Sequence, residues 1–96
     1  KFEMENGGYN AQRTPLDLPA ARRVIQAAQS TTEKQVLVQP TSGGSLPLYL
    51  FESILGAKVM SVSMVNHDNN QHSFNENLRV QNLWDGIELM AALLTM

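Results

Sequence analysis

Two stretches of this chain hold residue types that do chemistry. The first is Asn66-His67-Asp68-Asn69-Asn70-Gln71-His72-Ser73-Phe74-Asn75-Glu76, which carries both histidines of the chain together with Asp68 and Glu76. Imidazole and carboxylate are the usual ligands of a catalytic zinc. The histidines stand five positions apart in a polar stretch, which fits no helical ligand pair of the HExxH kind. The spacing therefore also suits a solvated loop with ordinary histidines, and a local metal site from His67, Asp68 and His72 is a further arrangement open to these residues. The second stretch is Thr41-Ser42-Gly43-Gly44-Ser45. Glycines ahead of a helix let the backbone approach a ligand closely, and free amides at a helix start favour a carboxylate or phosphate. The Ser45 hydroxyl adds a donor. The lysine of a Walker motif is missing, and the same residues would also serve as a tight turn that binds nothing. Arg13 has a guanidinium suited to bidentate contact with a substrate carboxylate, although arginines in such places are more often plain surface residues. No Ser/His/Asp triad can be assigned, and no nucleophile-elbow pattern occurs.

The elements that would position these residues follow from periodicity and punctuation. Phe2 and Met4 alternate with Glu3 and Glu5, as in a short strand with one wet face, and Asn6-Gly7-Gly8 breaks it. A connector containing Arg13 and Pro15 follows. Asp17 is a capping residue type and Pro19 suits a first turn. Leu18, Ala21, Val24, Ile25 and Ala28 then recur at helical spacing, with Arg22, Arg23 and Gln26 facing elsewhere; Ser30-Thr31-Thr32 ends that helix. Residues 35–39 (QVLVQ) read as a strand. Ser45 and Pro47 open a second helix, and Gly56 is placed as its left-handed cap. Residues 58–65 (KVMSVSMV) read as another strand. The last helix covers roughly residues 80–94, with Val80, Leu83, Trp84, Ile87, Ala91 and Leu94 lining the face expected to be core. The methionines read as packing.

The expected class is therefore α/β, with residues 35–65 forming a βαβ crossover in a mostly parallel sheet flanked by helices. Two parallel strands leave two open edges and little core. We expect a segment of a larger domain, which alone would oligomerise or sit against a partner. A small domain whose opening strand completes a three-stranded sheet is the alternative.

Composition bounds the function classes. The chain has 96 residues, enough for one small domain, with 43% hydrophobic residues and a net charge of −2. No block of like charge points to nucleic acid or an anionic membrane. No apolar run reaches the roughly 20 residues of a membrane span. The absence of cysteine removes disulfides and thiolate ligands without fixing the compartment. The cytoplasm is favoured, and because the chain begins at Lys1 rather than Met, a signal upstream remains open.

Taken in order, Gly43-Gly44-Ser45-Leu46-Pro47, a helix, a Val-rich segment, His72-Ser73-Phe74-Asn75-Glu76 and a final amphipathic helix form a set. That set resembles the C-terminal part of the zinc exopeptidase/deacylase family. The family includes aminoacylase, carnosinase-type dipeptidases, glutamate carboxypeptidase, acetylornithine deacetylase and succinyl-diaminopimelate desuccinylase. The stretch from Gly8 to Pro15 resembles the return from the family's inserted lid domain to its catalytic domain. The resemblance implies that residues 1–12 are the last lid strand and residues 13–96 the closing part of the peptidase domain. It implies a metallopeptidase parent that holds two zinc ions, cleaves dipeptides or N-acylated amino acids and forms a homodimer. His72 is then the last zinc ligand, Asn75 and Glu76 shape its surroundings, and Gly43, Gly44, Ser45 and Arg13 hold the substrate's carboxylate. His67 and Asp68 match no metal role. The remaining ligands and the general-base glutamate would lie upstream of Lys1, so this segment alone is expected to be inactive. The alternative function is a non-enzymatic small-anion-binding or assembly module.

Overall fold

A computed structural model of the chain describes residues 2–3, 7–44 and 46–96. It has three helices in chain order, α1 (Pro19–Ser30), α2 (Tyr49–Leu55) and α3 (Val80–Thr95). Among the described residues there is no strand, so the expected α/β sheet with its βαβ unit is overturned. The physical reason lies in where the backbone groups go. A strand exists only where a neighbour completes the ladder, and a Val-rich composition records fitness for a pleated, half-buried surface rather than an intrinsic backbone state. In residues 35–39 the Val36 N–H donates to Gln29 Oε1 at 3.0 Å. In residues 58–65 the Val59 carbonyl accepts from Thr14 Oγ1 at 2.6 Å, and the Met64 carbonyl accepts from Asn82 Nδ2 at 3.2 Å. Side chains occupy backbone groups that a sheet would have used. Of the expected opening strand, Phe2 and Glu3 are exposed and irregular, and Met4 and Glu5 lie outside the described residues.

The helix boundaries follow the punctuation in part. Pro19 is the first residue of α1, where its missing N–H leaves no intrahelical bond unmade. Leu18 takes the N-cap position and no side chain caps the helix, so Asp17 does not act as one. Ala21 and Ala28 are buried and Val24 and Ile25 half-buried, while Arg22, Arg23 and Gln26 face solvent. Past Ser30 the Gln29 side chain takes over. Its Nε2 donates to the carbonyls of Thr32 and Lys34 at 3.0 and 2.9 Å, tying the exit of α1 back onto the helix. Helix α2 is shorter than expected and starts at Tyr49, with Leu48 rather than Ser45 at its N-cap. It ends at Gly56 in the left-handed conformation, φ 64°, whose N–H bonds the Glu52 carbonyl at 3.0 Å. An ion pair between Lys58 and Glu52 links the segment after Gly56 to α2.

Helix α3 lies against α1, the one helix pair in contact among the described residues. The face it turns inward is not the one expected. Asn82, Leu89, Met90 and Leu93 are half-buried and Gly86 is buried. Trp84 is 59% exposed and Ile87 54%, and Val80, Leu83, Ala91 and Leu94 are exposed with them. The helix is apolar on both sides, and only one side is covered. At Gly86 the residue 58–65 segment comes so close that an added Cβ would stand 2.8 Å from Met64 Sδ and 3.0 Å from Met64 Cβ.

The only apolar side chains that are buried are those of Ala21 and Ala28, among the described residues. The chain exposes 8376 Å², whereas a compact monomer of its mass exposes about 5,500 Å². Its radius of gyration is 15.9 Å, against about 12 Å for a compact domain of this length. Part of the surplus is apolar side chain: Phe51, Ile54 and Leu55 on α2, and Val80, Trp84 and Ile87 on α3.

Candidate functional site

The polar loop between Val65 and α3 is held by the side chains of Asn66, Asn77 and Arg79. Asn66 is 4% exposed and is the one buried polar residue among those described. Its Nδ2 donates to Asp68 Oδ1 at 2.9 Å and to Asn77 Oδ1 at 3.0 Å. Its Oδ1 accepts the N–H of Arg79, the N-cap residue of α3, at 3.0 Å. Asn77 closes the loop a second time. Its N–H donates to the Asn69 carbonyl at 2.9 Å, and its Nδ2 to the carbonyls of Asp68 and Asn75 at 3.3 and 3.0 Å. Arg79 pairs with the outer oxygen of Asp68. The hydrogen bond from Asn66, then that from Arg79, holds the Asp68 carboxyl down at about 2 from its ordinary 3.8.

Within this closed loop, Asn70, His72 and Asn75 have positive φ of 52°, 63° and 58°. Asparagine tolerates that region because its short side chain bonds nearby backbone. Histidine is, with asparagine, among the non-glycine residues enriched there. The His72 imidazole is exposed and makes no hydrogen bond among the described residues. Asn75 contributes its carbonyl to Asn77. Glu76 borders an open recess of about 300 Å³ together with Val65, Asn69, Gln71, Asn77 and Leu78.

The other expected site residues stand apart from this loop. Gly43 and Gly44 lie exposed in the connection ahead of α2. The Gly44 N–H faces Ser42 Oγ at 3.4 Å. Ser45 lies outside the described residues. Arg13 is exposed, and no hydrogen bond or ion pair among the described residues joins it, Gly43 or Gly44 to the His72 loop. His67 is exposed in the loop, and Asp68 is engaged by Asn66 and Arg79 rather than turned toward either imidazole. Among the described residues no three His, Asp or Glu side chains converge on a point that would hold a metal ion. His67, His72 and Glu76 are all exposed and make no hydrogen bond among the described residues.

Reading the residues for chemistry picked out the histidines and acids and passed over Asn66 and Asn77, which build the loop. The available signal was the density of asparagines, since Asn at both ends of a polar stretch is positioned to satisfy loop backbone in place of a ladder. Compared with protein-family models, with curated proteins and with solved structures, the chain matches none.

Proposed function

We propose that this chain is a segment of a metal-dependent hydrolase that cleaves the amide bond of dipeptides or N-acylated amino acids, and that His72 is the metal ligand it supplies. The observation that carries the reading is the presentation of His72. Its ring is exposed and unengaged, while its backbone is held at φ 63° by a hydrogen-bonded loop. A non-glycine residue in that region costs about 1–3 kcal/mol and persists where its surroundings over-determine it, most often at functional sites. A ligating imidazole needs its ring free for the ion and its loop fixed. The uncovered faces of α2 and α3 add support, because apolar surface of this extent marks a contact with further polypeptide. That polypeptide would carry the remaining ligands.

In this reading Gly43, Gly44, Ser45 and Arg13 meet the carboxylate end of the substrate and orient its amide bond. Asn75 and Glu76 border the His72 side of the site. A bound pair of zinc ions would supply an activated water and a polarised carbonyl. A non-enzymatic assembly module would account for the apolar faces but gives the strained, open His72 no task.

The test is turnover by the full-length polypeptide that carries these residues, on a panel of dipeptides and N-acylated amino acids. Hydrolysis should stop on treatment with a chelator, return with zinc, and be lost in His72→Ala with helix content retained. Turnover that survives both treatments removes His72 from the site. A full-length polypeptide that hydrolyses nothing on the panel returns the chain to the assembly reading.

A further inference from the structure

We infer that α3 pairs with α3 of a second copy of this chain, antiparallel about a two-fold axis at Ile87, through the stripe Val80, Trp84, Ile87, Ala91 and Leu94. The inference does not rest on the reading of His72, and the apolar side chains of α2 form a separate surface that the pairing leaves free.

The stripe lies on the open side of α3. Gly86 is buried and Leu89 and Leu93 are half-buried against the rest of the chain, while all five residues of the stripe are exposed. They recur at alternating steps of four and three residues, the narrow period of a seam that meets one further helix. Their sizes are ordered as well. With Ile87 as the centre, Trp84 and Ala91 lie one turn to either side, and Val80 and Leu94 two turns. An antiparallel second copy sets Trp84 against its Ala91, twice by symmetry, and Val80 against its Leu94. At a rise of about 1.5 Å per residue, each facing pair is matched in axial height to within one residue step. Every contact then joins a large side chain to a small one, or two of middle size, as interdigitating packing requires. The same patch serves both copies, as a two-fold interface demands. A parallel pair would instead oppose Trp84 to Trp84 and Ala91 to Ala91, overpacking one contact and leaving a gap at the other. The area suffices: the chain exposes 8376 Å² against about 5,500 Å² for a compact monomer, and the surplus exceeds the roughly 800 Å² that each partner gives to a stable interface. Glu88 borders the stripe at its solvent edge, where a charge contact across the axis carries little weight.

The experiment uses the full-length polypeptide in sedimentation over a range of concentrations. The expected mass is that of two chains, falling to one on dilution. Ile87→Glu should raise the dissociation constant at least about 30-fold, as for a central interface residue, with helix content retained. Trp84→Ala and Ala91→Trp should each weaken self-association. A mixture of the two should pair more tightly than either variant alone, because each contact in the mixed pair again joins one large and one small side chain. Val80→Cys and Leu94→Cys, mixed and oxidised, should link to each other, and this cross-link decides the matter if Ile87→Glu fails to fold. A polypeptide that stays a single chain at all concentrations overturns the inference, as does a dimer that Ile87→Glu leaves intact. Cross-links only between like variants make the helices parallel and overturn the two-fold arrangement.

Discussion

Replacing Gly86 by alanine sets two effects of known size against each other. In a helix interior alanine is favoured over glycine by about 1 kcal/mol. The new methyl, however, would stand 2.8 Å from Met64 Sδ, 3.0 Å from its Cβ and 3.3 Å from its Cγ. The sulfur can swing aside. The Cβ moves only with its backbone, and that backbone is tied to the same helix one turn earlier by Asn82 Nδ2 on the Met64 carbonyl. Forcing a methyl into such a contact costs about 1–3 kcal/mol. The net expectation for Gly86→Ala is a loss of up to about 2 kcal/mol. Truncating the neighbour should reduce the cost. In a Met64→Ala background the Sδ and Cγ contacts are gone and only the 3.0 Å Cβ contact stays, so the same substitution should be less destabilising than in the parent. Urea unfolding of the four proteins of this cycle, followed by circular dichroism, measures the coupling. A Gly86→Ala change that stabilises equally in both backgrounds would show that Met64 does not rest on α3 and would refute the packing described above.

Two further expectations concern the loop and α2. Asp68 has its carboxyl depressed to about 2 by Asn66 and Arg79, so its contribution to holding the loop is complete above the unfolded value near 3.8 and is lost as pH falls through about 2. A carboxyl-carbon NMR titration should show that midpoint in the native protein and a return toward the ordinary value in Arg79→Ala; an unshifted midpoint in the native protein contradicts the loop geometry. Gly56 caps α2 at φ 64° with open space where a Cβ would sit, so Gly56→Ala should cost about 1 kcal/mol through backbone conformation alone and Gly56→Asn less, read from amide exchange in α2.

Local signals in the sequence translated well where the chain decides for itself. Pro19 opening α1, the Ser30-Thr31 exit, Gly56 as a left-handed cap and α3 beginning at Val80 all depend on a few adjacent residues. The two Val-rich segments did not translate, because a strand is a relation between segments and no described segment completes the ladder. Gln29, Thr14 and Asn82 take up some of those backbone groups instead. For the candidate site, the histidines were visible as residue types. Asn66 was not, because burial makes it the keystone of the loop and burial is set by how Val65 and α3 approach each other.

Helix α3 joins these observations. Periodicity alone marked Val80, Leu83, Trp84, Ile87, Ala91 and Leu94 as a core-facing stripe, and the structure buries the opposite side, with Gly86 at its centre. Both statements describe one helix: α3 is apolar over a wide arc, with Gln81, Asp85 and Glu88 as its polar side, and only part of that arc is covered. The inner contact is selected by shape, since only a glycine lets Met64 approach. The outer stripe remains exposed. The loop is anchored to the N-cap residue of this same helix, Arg79, through Asn66. Polypeptide that settled on the Trp84 face would therefore press on the helix to which the Asn66 loop is tied.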